Sequence, residues 1–258
     1  YIFGLEFGNL IFRNGGLKTL VSPIIVKGNL TIEAAAEFDA GNETLTLLGN
    51  WNNAGSFVPS SSTIILGGAG NNISGNTTFN KVDITGSYTH LSDIVYNSLL
   101  HITSTGSVTS GTGIFTTLHG DLINNGVLNT SGTTTFSGNV LQTLSLINAV
   151  STYALTVNFN GSVSPVLNST SAPQFGYLNI NNTGGVNPSV GWTVAYRLSI
   201  GAGASFNGGI STHNLMGDLV NNGTITSSGT INFNPITAVN INMGNNFTST
   251  GRVLFAGT

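Results

Sequence analysis

The sequence predicts an all-β fold, a parallel β-solenoid (β-helix) of roughly a dozen coils within 258 residues. Three observations predict this fold. The chain contains an internal repeat, its composition favours turns and strands over helices, and short apolar clusters recur along it at regular intervals.

The internal repeat comprises three diverged copies, at 7–78, 79–174 and 175–258. Each copy opens on a phenylalanine and later reaches a Leu-x-Ile triplet. Copies of unequal length that keep such landmarks indicate one structural unit with variable loops. We therefore expect 1–258 to form a single continuous solenoid. Because the chain begins with Tyr1 rather than Met, we expect it to be a segment of a longer protein.

The composition is low in charge and rich in turn-forming residues. Charged residues make up 6% of the chain, and there are 35 glycines. Globular domains usually contain about 25% charged residues. Asparagine, serine, threonine and glycine favour turns and strand surfaces over helices. The composition therefore indicates an all-β chain with many tight turns.

The spacing of the apolar clusters distinguishes two all-β architectures. The cluster centres lie about 16–19 residues apart, with glycine, asparagine or serine in nearly every gap. A β-sandwich would give spacings of about 8–12 residues with hairpin turns. A solenoid coil is longer, so the spacing favours about four coils per copy, stacked about 4.8 Å apart.

Alternating side chains identify the predicted core. In Leu30-Thr31-Ile32 the outer residues are apolar and the middle one is polar, and the other copies repeat this pattern. Neighbouring side chains of a strand point to opposite faces, so the aliphatic residues should face the interior. A further apolar residue follows six positions later in each copy and is expected to fill one shared interior column. The predicted core residues are Leu30, Ile32, Phe38, Leu100, Ile102, Val108, Leu198, Ile200 and Phe206.

Three Asn-x-Gly sequences occupy corresponding positions in the copies and are predicted to form turns or ladders. Asparagine tolerates left-handed backbone geometry and can hydrogen-bond its own chain. In a solenoid it can also stack on the asparagine of the next coil. These residues are Asn53 with Gly55, Asn124 with Gly126, and Asn221 with Gly223.

The repeat phrases are similar to those of a known class of surface proteins. Gly8-Asn9-Leu10, Gly28-Asn29-Leu30, Gly49–Asn53 and Gly217–Gly223 resemble repeats of large extracellular Bacteroidota proteins. Many of those proteins are exported by the type IX secretion system and belong to adhesins or gliding-associated surface proteins. The resemblance implies a secreted, elongated β-helical stalk or adhesive segment at the cell surface.

Several functional classes are disfavoured by composition. The net charge is −3, and the six lysines and arginines are scattered, whereas a nucleic-acid interface needs clustered cations. No apolar run reaches the roughly 20 residues that a transmembrane helix requires. The absence of cysteine excludes disulfides and thiolate metal sites.

The one local acidic cluster is a candidate calcium site. Glu37, Asp39 and Glu43, with Asn42, offer the oxygen ligands that calcium prefers. Neither an EF-hand nor a nonapeptide calcium spacing is present, which favours a solvated edge loop instead. We therefore assign no cofactor and no catalytic residue.

Aromatic and histidine side chains have two interpretations. Trp51, Trp192, Tyr88, Tyr96 and Tyr196 could stack on sugar rings if exposed, but burial is the preferred interpretation. The four histidines share no metal-ligand spacing, which favours surface or turn positions for His90, His101, His119 and His213.

Two functions remain open at this stage. The first is a structural or adhesive repeat segment that forms a rigid rod and associates end-to-end or laterally into filaments. Its expected partners are surface glycans or other cell-surface proteins. The alternative is a carbohydrate-binding or polysaccharide-degrading β-helix, which requires a groove where acidic and aromatic side chains converge.

Overall fold

The predicted fold class is confirmed by a computed structural model that describes residues 5–145, 156–169 and 171–256. These residues form a parallel β-solenoid of about 12 turns without a helix. In particular, the described part of the chain holds no helix that could span a membrane. Two compact units, 1–129 and 130–258, are described separately below. That 1–258 forms one continuous domain stays a prediction.

The first unit contains three groups of paired parallel strands. The first group is β1 (Leu5–Phe7), β4 (Ile24–Val26), β7 (Thr44–Leu47), β10 (Thr63–Leu66), β12 (Thr77–Ile84), β14 (Ile94–Ile102), β16 (Phe115–Leu118) and β17 (Asp121–Asn124). The second is β2 (Leu10–Phe12), β5 (Leu30–Ile32), β8 (Trp51–Asn53), β11 (Asn71–Ser74), β13 (Ser87–His90), β15 (Ser107–Ser110) and β18 (Val127–Thr130). The third is β3 (Leu17–Thr19), β6 (Glu37–Asp39) and β9 (Ser56–Val58).

The second unit contains two groups. The larger is β19 (Thr133–Phe136), β20 (Thr143–Ser145), β21 (Thr156–Phe159), β22 (Val166–Asn168), β23 (Gln174–Ile180), β24 (Thr193–Ile200), β26 (Thr212–Leu215), β27 (Asp218–Asn221), β29 (Thr230–Phe233), β30 (Ile241–Asn242) and β32 (Arg252–Phe255). The smaller is β25 (Ser205–Asn207), β28 (Thr224–Ser227) and β31 (Phe247–Ser249). Part of the long middle-copy stretch, 146–155 and 170, lies outside the described residues.

Consecutive turns stack in parallel register. Paired residues are separated by as few as 17 positions, as for Thr77 and Ile94, and by as many as 23, as for Thr133 and Thr156. Each turn thus contributes one residue to each column of partners. Parallel pairing across a whole turn is the arrangement of a solenoid and excludes the hairpin-linked sandwich for these strands.

Burial follows the alternation of side chains along the strands. The predicted core residues are all 0–2% exposed, and aromatic rings lie among them in the interior. In the first unit, Phe12 stacks on Phe38 with ring centroids 4.0 Å apart. Further along, the ring of Trp51 meets Phe57 at 4.8 Å and Phe79 at 4.9 Å. Aromatic contacts therefore link successive turns through the interior.

The expectation that corresponding residues of the copies share one column is wrong within the first unit. Phe38 lies in β6 of the third strand group, whereas Val108 lies in β15 of the second. Val108 aligns through Tyr88 with Asn71 in the second group, whereas Phe38 pairs with Phe57 in the third, so the two residues lie in different columns. The same landmark therefore reaches a different face of the solenoid, although both side chains are buried.

The three Asn-x-Gly sequences build the same corner in each copy. The Oδ1 atoms of Asn53, Asn124 and Asn221 accept the N–H of the glycine two residues later, each at 3.2 Å. The residue between them donates its N–H to the carbonyl of Ile32, Ile102 or Ile200 one turn earlier, at 2.8–2.9 Å. The repeat of the sequence is thus a repeat of one corner.

Glycine is required at these corners because the backbones approach closely. A Cβ built on Gly126 would overlap the carbonyl oxygens of Thr103 and Gly106 and lie 2.9 Å from Cγ2 of Ile102. Gly55 and Gly223 have equivalent surroundings. Left-handed geometry is not the reason, because Gly55, Gly126 and Gly223 are not among the glycines with positive φ.

Asparagine ladders exist, but at a different corner from the predicted one. The Oδ1 of Asn9 accepts the backbone N–H of Asn29 at 2.7 Å, and Asn29 does the same for Asn50 at 2.9 Å. Asn50 continues the series to the backbone N–H of Asn72 at 2.8 Å. The accepting residues Asn9, Asn29 and Asn50 lie in Gly-Asn sequences directly before second-group strands, so their side chains satisfy backbone donors of the next turn.

We predict that Gly126→Ala destabilises the first unit by at least about 2 kcal/mol, because the added methyl group meets backbone that cannot move independently. Gly111→Ala is the matched control, since nothing lies within 4 Å of a Cβ there and its φ is not positive. Denaturant unfolding followed by Trp51 fluorescence in a Trp192→Phe background measures both. Equal stabilities of the two variants would contradict the corner assignment.

Candidate functional site

The acidic candidates do not form a metal site. Within the described ranges, no group of three His, Cys, Asp or Glu side chains could hold an ion. Glu37 and Asp39 flank buried Phe38 in β6 and therefore point outward. The Oδ1 of Asp39 accepts hydrogen bonds from the Gly41 N–H and the Ser60 hydroxyl, both at 2.8 Å. Glu43 is half-buried at the start of the next strand.

Two histidines predicted at the surface or in turns are buried instead. His90 is fully buried, with Nε2 3.0 Å from the Tyr96 hydroxyl and Nδ1 3.4 Å from Thr116 Oγ1. Burial lowers the pKa of His90 from 6.5 to about 4 and raises the pKa of Tyr96. The interior therefore holds His90 in its neutral form.

His213 has the corresponding role in the second unit. Its Nδ1 accepts the backbone N–H of Trp192 at 3.1 Å, and its Nε2 lies 2.9 Å from the Gly208 carbonyl. The neutral Nε2-protonated tautomer satisfies both contacts, whereas a charged ring would lose the acceptor. Burial lowers the pKa of His213, opposed by the hydrogen bond to Gly208.

The other histidines remain near the surface. His101 pairs with Asp83 at 2.9 Å on the outer side of β14. His119 follows β16 directly and is exposed where the chain leaves that strand.

Among the aromatic candidates, one lies at the surface. Trp51, Trp192, Tyr88 and Tyr96 are at most 2% exposed, in agreement with the preferred interpretation. Tyr196 is 48% exposed, and its ring centroid lies 5.2 Å from that of Tyr177, which is 39% exposed. This pair of exposed tyrosines is the feature around which the candidate site is built.

The tyrosine pair lines a groove of about 620 Å³ in the second unit, which we call the tyrosine groove. One wall carries Tyr177, Tyr196 and Arg197, and Asp218 follows on the next turn. The segment 236–239, between β29 and β30, forms the other wall. A groove of this volume falls in the usual range of ligand sites.

A β-bulge projects Tyr196 into the groove. Between the registered pairs Phe175–Val194 and Tyr177–Arg197, β23 has one residue and β24 has two. The extra residue interrupts the alternation, so Tyr196 and Arg197 are exposed side by side. Bulges commonly re-aim side chains in this way next to binding sites.

Glycine allows two backbone segments to approach each other closely in the lining of the groove. A Cβ on Gly217 would overlap the carbonyl oxygen of Tyr196 one turn earlier. Tyr177, Arg197 and Asp218 are consecutive register partners, so their side chains lie on three successive turns of one column. The groove therefore has a wall of aromatic and charged side chains that are positioned by strands.

The two charged side chains of the groove, Asp218 and Arg197, make different contacts. Asp218 Oδ1 accepts the Asn240 N–H at 2.8 Å, which ties the carboxylate to the opposite wall. The Arg197 guanidinium lies 5.7 Å from the Tyr177 ring centroid, a cation–π contact. In the part of the chain that the structure describes, Arg197 forms no salt bridge. Arg197 is among the residues that line the groove.

The first unit contains the same bulge without the groove's aromatic groups. The register of β12 and β14 shifts between Phe79 and Lys81, and Gly120 approaches Ser98 as Gly217 approaches Tyr196. At this bulge Ser98 donates to Asn80 Oδ1 at 2.6 Å. Lys81 thus takes the position of Tyr177 and Ser98 that of Tyr196, so this bulge lacks the tyrosine pair.

Sequence reasoning included Tyr196 but missed Tyr177, Arg197 and Asp218 as a group. The signal was available in the copies: Tyr177 and Tyr196 are 19 positions apart, which is one turn. Comparison of the third copy with the second would have shown an aromatic pair replacing Lys81 and Ser98. Treating the arginines as scattered concealed that one of them lies beside this pair.

Comparisons of the chain with protein-family models, with curated proteins and with solved structures give no match. The candidate site therefore has to be interpreted from its own geometry.

We predict that the first unit loses stability as the pH falls from 6.5 to about 4, because unfolding frees His90 to bind a proton that the folded interior disfavours. Above pH 6.5 both states hold neutral imidazole and the full stability is present. The loss due to His90 is about 3 kcal/mol over this window. Trp51-monitored unfolding in the Trp192→Phe background should show a shallower pH dependence for His90→Gln. An unchanged dependence would show that the ring is not held neutral.

Proposed function

We propose that this chain is an extracellular structural and adhesive segment, in which stacked turns form a stiff shaft and the tyrosine groove binds a ligand. The observation that carries the proposal is the repeated corner at Asn53, Asn124 and Asn221. The three copies keep these turn-stacking corners although many of their surface residues differ, which supports a role for the stacked turns themselves.

The interior supports a structural role. Its columns are filled by aliphatic and aromatic side chains, and the buried His90 and His213 serve internal hydrogen bonds. Each turn contacts its neighbours, so the stability of such a protein is approximately a sum of turn and interface contributions. A stack of turns built in this way is suited to a segment that holds other parts of a protein apart or supports them.

The tyrosine groove supports an adhesive role rather than polysaccharide cleavage. Glycosidic hydrolysis generally uses a pair of carboxylates on either side of the bond. Of the residues that line the groove, Asp218 is the single acidic one, and its Oδ1 is bound to Asn240. Exposed aromatic rings beside one cation are suited to holding a ligand.

The cell-surface location and the type IX export route rest on the resemblance of the Gly-Asn-Leu phrases to Bacteroidota surface proteins. Other cell-surface proteins and further copies of this chain are the alternative partners of the shaft. Association of copies into filaments is the second form of the proposal, since low surface charge reduces repulsion between copies.

We predict an elongated particle in small-angle X-ray scattering of the chain. Parallel turns stack about 4.8 Å apart, so the proposed shaft lengthens with each turn and should have a maximum dimension larger than that of a sphere of the same mass. A dilution series separates this length from filament growth, which would increase the apparent mass with concentration. A compact, near-spherical particle at every concentration would overturn the shaft.

A further inference from the structure

We infer that the tyrosine groove of the second unit binds a saccharide that carries a carboxylate, such as a uronic acid within a surface or matrix glycan. The inference rests on the adhesive part of the proposed function and names the ligand of the same site. The residues that support this inference are the exposed pair Tyr177 and Tyr196, the cation Arg197, and the opposing segment 236–239.

The rings provide the apolar part of the recognition. Tyr196 projects at the bulge with about half of its surface exposed, and Tyr177 supports it from the preceding turn at 5.2 Å. Both are fixed on strands, so a ligand that packs against them orders little protein on binding. Ile236 is 77% exposed on the opposite wall and provides an apolar surface facing this pair. A sugar ring, with its apolar C–H faces, fits between two such walls.

We expect Arg197 to make the groove prefer a ligand that carries a negative charge. Its guanidinium is exposed, forms no salt bridge within the described residues and is oriented by the Tyr177 ring. A guanidinium pairs with a carboxylate through two parallel hydrogen bonds, which fixes both position and orientation. Asp218 does not cancel this charge by direct pairing, because its Oδ1 is held by Asn240. Its carboxylate remains near enough in the column to accept a sugar hydroxyl.

A single-stranded nucleic acid also stacks on aromatic rings, but the charges argue against it. Such proteins combine stacking with a cationic track along the backbone. The groove contains Arg197 as its one cation, with Asp218 on the next turn, in a chain of net charge −3. One carboxylate per sugar is better matched to a single guanidinium than a row of phosphates is.

The test is isothermal titration of the full chain with trimers of galacturonate, glucuronate and mannuronate and with their neutral methyl esters. We expect at least one acidic trimer to bind more tightly than its ester. Arg197→Gln should weaken the acidic form by about tenfold or more and remove the difference between acid and ester. Tyr196→Ala should weaken both forms by about fivefold, because ring contact is independent of charge.

The control is Lys81→Gln, which removes a cation at the corresponding bulge of the first unit, where Lys81 takes the position of Tyr177, and should leave the affinity unchanged. Thermal unfolding of every variant separates loss of binding from loss of fold. Three results would overturn the inference: no trimer binds, acid and ester bind equally to the parent chain, or oligothymidylate binds more tightly than every trimer in an Arg197-dependent manner. If the scattering shows an elongated particle but no trimer binds, the ligand assignment is wrong and the proposed structural role still stands.

Discussion

In-register stacking of consecutive turns is the constraint on which the rest of this structure depends. Once one turn is placed, its carbonyl and N–H groups, which point along the stack, fix the position of the next turn, as the Ile102 carbonyl does for Asn125. Side chains are then assigned to the interior or the surface by alternation alone. Corners are the difficult points, since there the chain must change direction without losing this stacking. Glycine maintains the stacking at a corner because it lets the backbones of two turns approach closely. Asparagine contributes because its side chain accepts a hydrogen bond from a backbone N–H.

The same constraint explains how the groove can arise without disturbing the shaft. A register shift of one residue at β23 and β24 leaves Leu178 paired with Leu198, so the buried column continues. On the outer face, however, it places Tyr196 and Arg197 next to each other. Surface chemistry can thus vary from copy to copy, while the interior pairings on either side of the bulge remain in place.

The fold and the burial of individual strands could be predicted from the sequence because both depend on local patterns. Leu30-Thr31-Ile32 already contains the alternation that places its two aliphatic residues at 0% exposure. The faces could not be predicted from the long repeat, because they depend on turn lengths that vary from 17 to 23 residues. The shorter interval between Gly8, Gly28 and Gly49 corresponds to single turns and marks the asparagine ladder. The groove was harder to predict than the fold, because it combines residues from three turns with a bulge that no local sequence pattern indicates.

Disulfide trapping of register partners tests the stacking most directly, because the chain has no cysteine of its own. Thr31 and Asn52 are paired on successive turns with outward, half-buried side chains, and Asn52 is paired in turn with Ser74. Mild oxidation followed by mass spectrometry should show a disulfide in Thr31→Cys/Asn52→Cys. The pair Thr31→Cys/Ser74→Cys, two turns and about 10 Å apart, should remain reduced. Cross-linking of the two-turn pair without the one-turn pair would contradict the stacking.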